Sequence, residues 1–281
     1  MTRIAFQGEL GAFSEQAVAQ LWPDAEPVPM REFIDVARAV ARGDVELGLL
    51  PIENTLAGSV IGAYDALFAC DALHVVAETV VPIHHCVLAL PGATLETLRT
   101  VASHPVALAQ CERFLRSHAH LVARATYDTA GAAREVVAGG DPAAAAIAGR
   151  SAAERYGLEI VAADVEDRPD NQTRFLAIAR SPERLTAGTP ARSVVVLTTD
   201  NVPGALLRVL EPLAERGINL SKLESRPTGE PWTYRFFLEL EHAAGDESVS
   251  PAFDAVRRVS RSFRLLGTVA VWVVSGPTEG S

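Results

Sequence analysis

The sequence of 281 residues is poor in cysteine, in basic charge and in long apolar runs. Its 3 cysteines form no Cys-x-x-Cys pair, so the chain lacks the usual signature of a zinc site or redox centre and is expected to bury its thiols. Lys and Arg number 25 against 35 Asp and Glu, a net charge of -10, which makes nucleic acid and anionic membrane poor partners. No segment reaches the length of a membrane span, and the apolar run before Gly8 is too short for a signal peptide. We therefore expect a cytoplasmic protein with no nucleic-acid or membrane partner.

The 7 histidines are also poorly arranged for a metal site. His84 and His85 are adjacent, so on a strand their side chains point to opposite faces. His118 and His120 could face the same way, but no third ligand lies nearby in the sequence. The sequence therefore predicts no metal ion.

Apolar periodicity predicts an α/β protein whose first βα block covers about residues 1–75. A strand over residues 4–6 precedes a glycine-bearing loop and a helix, for which Ser14 is a candidate N-cap. A mostly apolar strand over residues 45–50 then runs into polar side chains, at the strand end where open α/β sheets bind ligands. These candidate site residues are Glu53, Asn54, Thr55 and Ser59. Helix capping by Asn54 or Thr55 is the alternative interpretation.

The second block covers about residues 80–165 and repeats the order of strands followed by helices. One strand ends at Ser103 and leads into a helix with Cys111 on its apolar face and Gln110 on another face. A later helix, over residues 130–138, has capping residues before it and two glycines after it. The alanine-rich run that follows indicates close backbone packing.

The chain then reaches a polar stretch, residues 167–175, that contains acids, arginines, an amide pair and a hydroxyl. Pro169 disfavours helix at Arg168, Asn171 suits a turn, and alternation predicts a strand over residues 173–180. The polar groups are therefore expected on a rigid loop at a strand edge, with a solvated turn as the alternative. Because the chain returns here to the first block, the two blocks are expected to form lobes around a cleft.

A polar, proline-bearing linker over residues 183–191 precedes a different pattern. Residues 192–275 have the element order βαββαβ, with the last strand ending at Val274, and this order is typical of a ferredoxin-like domain. Pro203 is the expected first residue of its first helix. Residues 276–281 are expected to be loose.

Taken together, these features make the chain resemble the prephenate dehydratase family over nearly its entire length. Four motifs carry the resemblance of the catalytic part: residues 8–15, 51–58, 103–111 and 171–175. The last part resembles an ACT regulatory domain in its Pro-Gly-Ala-Leu, Glu-Ser-Arg-Pro and aromatic motifs, which are residues 203–206, 224–227 and 232–237. One departure is Val106, where the family often has glutamine after Ser-His-Pro.

The resemblance implies an α/β fold with a two-lobed, periplasmic-binding-protein-like catalytic domain and a C-terminal ferredoxin-like ACT domain. The catalytic domain is expected over residues 1–182, with lobes of about 1–75 plus 168–182 and of 80–165. The ACT domain is expected over residues 192–275. No helical extension of the kind a fused chorismate mutase needs precedes the first strand, so the chain resembles a monofunctional enzyme.

The reaction that the resemblance implies is the decarboxylating dehydration of prephenate to phenylpyruvate in phenylalanine biosynthesis. Formation of the aromatic ring drives this reaction, so we expect no cofactor. The protein must orient the substrate, bind two carboxylates and hydrogen-bond the departing hydroxyl.

By the same resemblance, Thr173 is the key hydroxyl at the leaving group. The expected catalytic residues are Asn54, Ser103, Gln110 and Thr173. The expected substrate-binding residues are Glu53, Thr55, Ser59, Arg174 and Phe175. In the alternatives, backbone groups satisfy Thr173, and Glu53 is either a protonated donor or only a cap or ion-pair partner. Arg174 could equally form a salt bridge with Asp167 or Asp170.

The ACT resemblance implies feedback by L-phenylalanine bound between paired domains, hence a homodimer or homotetramer. The expected effector contacts are Asn201, Gly204, Ala205, Leu206, Glu224, Ser225, Arg226 and Pro227. Close helix packing is the alternative role for Gly204. Two rival functions stay open, which are an arogenate dehydratase and a non-catalytic amino-acid sensor.

Overall fold

The computed structural model describes residues 1–272, and these form two compact units. The first unit comprises Met1–Ala72 and Thr79–Ile178, and the second comprises Leu73–Glu78 and the chain from Ala179 onward. The expected end of the last strand at Val274 and the expected loose tail lie outside the described residues. No helix within residues 1–272 is long and apolar enough to cross a membrane.

The first unit alternates strands and helices, as predicted. Its elements are β1 (Arg3–Gln7), α1 (Phe13–Leu21), β2 (Glu26–Met30), α2 (Phe33–Arg42), β3 (Leu47–Asn54), β4 (Gly58–Ser59), α3 (Ile61–Phe68), β5 (His74–Pro82), β6 (Cys86–Ala89), β7 (Thr100–Ser103), α4 (Pro105–Gln110), α5 (Glu112–Ser117), β8 (Val122–Ala125), α6 (Thr129–Gly139), β9 (Ala144–Ala148), α7 (Arg150–Tyr156), β10 (Glu159–Ala162) and β11 (Gln172–Ala179). Strand β5 begins in the second unit and ends in the first.

The first sheet of this unit has the strand order β2-β1-β3-β11-β5, with the short β4 paired to β3. Strand β1 runs parallel to both β2 and β3. Phe6, Leu49 and Ile52 are fully buried in it, as their apolar runs predict for a covered sheet. Because β3 and β11 are neighbours, the polar stretch that follows β3 meets the polar stretch that precedes and opens β11.

The second sheet has the order β10-β6-β9-β7-β8 and therefore forms a second lobe. Its central strand β9 is antiparallel to β6 and parallel to β7. Ala146 and Ala148 of β9 share one buried cluster with Ala130 and Ala133 of α6. Side chains this small let the helix backbone approach the sheet closely, as the alanine-rich run indicates.

Several local expectations for the first unit are wrong. Ser14 is buried inside α1, and the N-cap position is held by Ala12 without a side-chain hydrogen bond. The helix expected to continue past Cys111 is broken there, because that residue leaves helical geometry at φ -117° and separates α4 from α5. By contrast, Asp128 caps α6 as expected, since its Oδ1 accepts from Gly131 N at 2.7 Å.

The second unit has the predicted βαββαβ order. Its elements are β12 (Pro190–Thr198), α8 (Ala205–Ala214), β13 (Asn219–Pro227), β14 (Tyr234–Ala243), α9 (Val249–Val259) and β15 (Ser262–Ala270). The strands form an antiparallel sheet in the order β13-β14-β12-β15. The buried core between the sheet and the two helices contains Val195, Leu197, Val209 and Leu238.

Two glycines shape this second unit. Helix α8 begins at Ala205 and not at Pro203, because Gly204 occupies the N-cap position with φ +76°. Gly267 of β15 lies against the backbone of Val75, from the part of β5 that belongs to this unit. A Cβ at this glycine would lie 2.0 Å from the Val75 carbonyl oxygen, so no side chain fits there.

Candidate active site

Asn54, the last residue of β3, is the centre of a hydrogen-bond network at the edge of the first sheet. Its side-chain Oδ1 accepts from the backbone N–H groups of Leu56 at 3.0 Å and Ala57 at 2.8 Å. These two donors fix which end of the amide is oxygen. The Nδ2 group therefore points the other way, and it donates to Thr173 Oγ1 at 2.9 Å.

The Thr173 hydroxyl is therefore the acceptor in its contact with Asn54. Its oxygen accepts from Asn54, and an amide NH2 group has no acceptor to offer in return. Among residues 1–272 the hydroxyl hydrogen of Thr173 has no acceptor. The alternative in which backbone groups satisfy Thr173 is not what the contacts show, and its O–H remains free to donate to a ligand.

The same amide holds the loop before β11. Asn54 Nδ2 also lies 2.8 Å from Asn171 Oδ1 and 3.1 Å from the Gln172 carbonyl oxygen, so its two hydrogens are shared among three acceptors. Thr55 extends this contact, since its N–H donates to the Gln172 carbonyl at 2.9 Å and its Oγ1 accepts from Gln172 N at 3.0 Å. The Thr55 hydroxyl donates to the Asp170 carbonyl at 3.3 Å. Thr55 thus fastens the two polar stretches together, and its contact with substrate stays a prediction.

Glu53 and Arg174 form a second pair, on the opposite side of the same strands. Adjacent strand residues point to opposite faces, so Glu53 and Arg174 face away from Asn54 and Thr173. Arg174 Nη2 lies 3.0 Å from Glu53 Oε2, and the Arg174 side chain is only 13% exposed. This is an ion pair, which matches the ion-pair alternative for Glu53 and not a protonated donor. Ser59 lies directly opposite Glu53 on β4.

Asp167 and Asp170, the two alternative partners of Arg174, form salt bridges with other arginines. Asp167 Oδ1 lies 3.4 Å from Arg113 Nε, and Asp170 Oδ2 lies 2.5 Å from Arg168 Nη2. The salt bridge shown for Arg174 is instead with Glu53. This pairing could not be predicted from the local sequence, because β3 and β11 lie far apart along the chain.

Gln110 closes helix α4 in the second lobe, and two contacts hold it. Its side-chain Oε1 lies 3.1 Å from His85 Nε2, and its backbone carbonyl accepts from Asp167 N at 2.7 Å. His85 is 2% exposed, and burial lowers the pKa of its imidazole. His85 is not among the site residues predicted from the sequence, because its contact with Gln110 is long-range and no local pattern shows it.

Glu166 lies beside this pair. Its Oε2 accepts from His85 N at 2.8 Å and its Oε1 lies 2.7 Å from His84 Nδ1. Burial opposes ionisation, but these hydrogen bonds outweigh it and lower the pKa of Glu166. His84, Asp164 and Glu166 each place a potential metal-ligating atom within 4.8 Å of the others, and His84 uses its Nδ1 atom in the contact with Glu166.

Ser103 and Phe175 are buried. Ser103 is 0% exposed and donates its hydroxyl to the Ile147 carbonyl at 2.6 Å, while Phe175 is 2% exposed and packs in the core. Neither side chain presents surface to a ligand in this structure. Their expected contacts with substrate therefore stay predictions.

The two lobes of the first unit meet at a charged cluster that the sequence analysis missed. Glu9, from the loop after β1, accepts from the Tyr127 hydroxyl and from Arg134 Nη1, each at 2.9 Å. Arg134 Nη2 also donates to the Tyr127 hydroxyl at 2.9 Å. Burial, followed by the hydrogen bond to Glu9, raises the pKa of Tyr127 to about 12. These three side chains help to line a cavity of about 520 Å³.

A cavity of about 200 Å³ lies at the N-terminal end of α8, and it is smaller than another cavity of the second unit, of about 450 Å³, beside α9. Three of the expected effector contacts line it: Asn201, Ala205 and Leu206. Trp232, Tyr234 and Phe236 add aromatic surface to it, and Trp232 is 81% exposed. The expected contacts of the Glu-Ser-Arg-Pro motif are not part of this lining, because residues 224–227 lie on the edge strand β13.

Comparison with known proteins connects these sites to a family. The sequence model of prephenate dehydratase matches residues 4–183, and the model of the ACT domain matches residues 193–258. Arogenate dehydratase/prephenate dehydratase 2, chloroplastic, of Arabidopsis thaliana is 39% identical over 279 residues, which are 96% of this chain and 73% of that protein.

Two solved structures share the fold. Prephenate dehydratase from Arthrobacter aurescens, in complex with L-Phe, has a TM-score of 0.88 and 31% identity, over 96% of this chain and 90% of that one. A protein described as GqqA, a novel type of quorum quenching acylase, has a TM-score of 0.88 and 33% identity, over 96% of this chain and 98% of that one.

These relatives also correct one expectation. Six relatives from Arabidopsis thaliana are chloroplastic by name. A chain of this family is therefore not restricted to the cytoplasm, and the prediction of a cytoplasmic protein, which relied on composition and the lack of a signal peptide, is wrong on this evidence. The family match, the relatives and the two-unit fold agree with one another, and the chain belongs to the prephenate dehydratase family, with a C-terminal ACT domain.

Proposed function

We propose that the chain is a carbon–oxygen lyase that converts prephenate to phenylpyruvate, with Thr173 at the departing hydroxyl. The observation that carries the proposal is the contact of 2.9 Å between Asn54 Nδ2 and Thr173 Oγ1. Asn54 donates to one lone pair of the Thr173 oxygen and leaves the hydroxyl hydrogen available to a ligand. A hydroxyl held in this way can donate to a leaving oxygen without a search for the right rotamer.

The reaction balances with groups of this kind. The bond between the ring and its carboxylate breaks, carbon dioxide leaves, and the bonding electron pair enters the ring. The ring hydroxyl departs with its C–O electron pair and takes up a proton to become water. Because aromatisation accepts the electrons, no cofactor is needed as an electron sink. A threonine hydroxyl is a poor acid, so Thr173 donates a hydrogen bond or relays a proton.

The two carboxylates of the substrate require donors. Gln110 can supply the NH2 group of its amide, because its Oε1 faces His85. Arg174 supplies positive charge close to the strand ends, although its ion pair with Glu53 partly neutralises this charge. Direct contacts of Thr55, Ser59 and Phe175 with substrate, and a direct role for Ser103, remain part of the proposal.

The first experiment is steady-state formation of phenylpyruvate from prephenate by the purified chain. We expect turnover without added metal or cofactor. A folded protein that turns over neither prephenate nor arogenate would contradict the proposed reaction and favour a non-catalytic amino-acid sensor.

Arogenate is the second candidate substrate, because the curated relative with 39% identity carries both activities in its name. Arogenate differs from prephenate in an amino group where prephenate has a keto group. Parallel assays with both substrates at matched concentrations give the ratio of kcat/KM values. A ratio that favours arogenate would keep the mechanism and change the substrate.

Regulation by L-phenylalanine is the remaining part of the proposed function. The cavity beside α8 and the complex of the Arthrobacter aurescens relative with L-Phe support an effector site in the ACT domain. Of the other expected contacts, Gly204 precedes α8, and residues 224–227 lie on the edge strand β13, where a second ACT domain could pair; we therefore propose a homodimer or homotetramer with the effector between paired domains. Titration of turnover and of sedimentation velocity with L-phenylalanine tests both points, and no change in either would contradict the regulatory proposal.

A further inference from the structure

His85 is a buried imidazole in contact with Gln110, a residue of the proposed reaction site. It is 2% exposed, and its Nε2 lies 3.1 Å from Gln110 Oε1. Its Nδ1 is buried and has no hydrogen-bond partner within residues 1–272. The reaction proposed above uses Gln110 but gives His85 no part.

The unpaired Nδ1 indicates which ring nitrogen carries the hydrogen. If the Gln110 amide donated to Nε2, the hydrogen of neutral His85 would lie on Nδ1, where a buried N–H would have no acceptor. If Nε2 carries the hydrogen, it donates to Gln110 Oε1 and only a lone pair is left without a partner. Buried N–H groups without acceptors are the rarer and costlier arrangement. The second arrangement is therefore the one to expect.

Both residues are also held at their backbones. Glu166 Oε2 accepts from His85 N at 2.8 Å, and the next residue, Asp167, donates its N–H to the Gln110 carbonyl at 2.7 Å. The ring of Phe13 packs edge-on against the His85 ring, with centroids 5.6 Å apart and an interplanar angle of 83°. The imidazole therefore has a fixed position relative to the Gln110 amide.

We propose that His85 is a positioning residue whose Nε2–H holds the oxygen of the Gln110 amide, so that the amide NH2 group is presented to the substrate. Without this contact the amide can rotate and offer its oxygen to a carboxylate, which would repel it. The inference rests on the proposed function, because Gln110 is taken to contact the substrate there.

The test compares two replacements of His85. His85→Phe keeps a ring against Phe13 and removes the donor, and we expect kcat to fall between about tenfold and a hundredfold, with a smaller change in KM. His85→Gln restores an N–H donor and should recover most of this loss. Recovery by glutamine separates hydrogen bonding from packing, because phenylalanine resembles the imidazole ring more closely in shape.

His84→Gln is the matched control, because it removes the neighbouring imidazole, which contacts Glu166 and not Gln110. We expect this variant to keep the kcat of the wild type. An equal loss in His84→Gln and His85→Phe would show a general disturbance around Glu166 and would overturn the inference.

A double-mutant cycle decides whether His85 acts through Gln110. In a Gln110→Met background, His85→Phe should cause no further loss of kcat. If the fold-losses in kcat of the two single variants multiplied in the double variant, the inference would be overturned, because His85 would then act independently of Gln110. Full activity of Gln110→Met alone would overturn it as well, while leaving the proposed reaction in place.

An NMR measurement makes the test independent of turnover. The two side-chain amide hydrogens of Gln110 should have shifted, well-dispersed resonances in the wild type and in His85→Gln, and these resonances should move towards the values of a free glutamine side chain in His85→Phe. If the wild type turned over neither substrate, the proposed function would fail, and these signals would still support or refute the contact itself. Unchanged Gln110 signals in His85→Phe would refute it.

Discussion

Each unit of the molecule contains a polar network that is at least partly buried, and the two networks differ in charge. In the first unit, Asn54 and Thr173 are joined by neutral hydrogen bonds. In the second unit, Arg192 Nη1 lies 2.6 Å from Glu78 Oε2, and the same guanidinium lies near Glu239 and Glu241. The neutral network leaves one hydroxyl hydrogen available. In the charged network, the positive charge of Arg192 is balanced by the carboxylates of the glutamates around it. The first network can therefore donate to a ligand, whereas the second joins neighbouring strands.

The largest effect is expected from removing the free hydrogen of the neutral network. Thr173→Val keeps the branched shape and loses the hydroxyl, so kcat should fall by about a hundredfold to ten-thousandfold. Steady-state assays measure this loss, and thermal unfolding should change little. Thr173→Ser is the control, because it retains a hydroxyl and should keep much of the activity. A folded Thr173→Val with near-normal turnover would rule out the proposed role.

The next effect is expected from breaking the charged network. Arg192→Met leaves Glu78 and Glu239, both 3% exposed, without this partner. Removing one member of a buried ion pair costs about 3–5 kcal/mol in the free energy of unfolding. Denaturant titration monitored by circular dichroism measures it. Arg192→Lys keeps the charge without the two-pronged contact and should cost less; equal stability of Arg192→Met and wild type would show that the pair contributes nothing.

A smaller effect is expected from the pH dependence of stability. Burial lowers the pKa of His85 in the folded protein, so below its ordinary value near 6.5 the unfolded chain binds more protons and stability falls. Glu166, which faces the His85 backbone, and His84 act on this pKa in opposite directions. The difference in unfolding free energy between wild type and His85→Gln should therefore change by up to about 1.4 kcal/mol per pH unit below pH 6.5. A difference that is constant with pH would contradict this expectation.

The smallest effect is expected where the two lobes meet. Tyr127→Phe removes one hydroxyl from the cluster with Glu9 and Arg134, which is worth about 0.5–1.5 kcal/mol. We expect a small fall in the unfolding free energy, with kcat reduced only slightly. Tyr156→Phe is the matched control, because its hydroxyl contacts the backbone carbonyl of Leu10 across the same lobes. A larger loss of kcat than in Thr173→Val would place Tyr127 in the reaction itself.

Much of the fold could be predicted because its signals are local. Alternating and continuous apolar runs indicate the strands, and glycines mark helix ends, as at Gly43 and Gly140, which are both left-handed C-caps. The βαββαβ order of the second unit was predictable for the same reason. Helix α7 and strand β2 were missed, since each is short and lacks a strong apolar period.

The candidate site was predictable only in part. Asn54 and Thr173 were selected because each lies at the end of a strand in a motif of the family. Their pairing, the salt bridge of Arg174 with Glu53, and the contact of His85 with Gln110 depend on which strands are neighbours. Ser103 shows what a sequence pattern cannot predict. Its position at a strand end made it a candidate catalytic hydroxyl, but its O–H donates to the Ile147 carbonyl inside the lobe.

Strand β5 is divided between the two units. Its first residues, Leu73–Glu78, belong to the second unit, and its last residues belong to the first. Within the second unit, Arg264 donates to the Leu73 carbonyl at 2.8 Å, and Trp272 N donates to Glu78 at 2.8 Å. A fragment that ended at Ile178 would keep these six residues and lose every partner from the later chain. The boundary between the units is therefore not a single cut in the sequence, and replacing the second unit with another domain would also require replacing Leu73–Glu78.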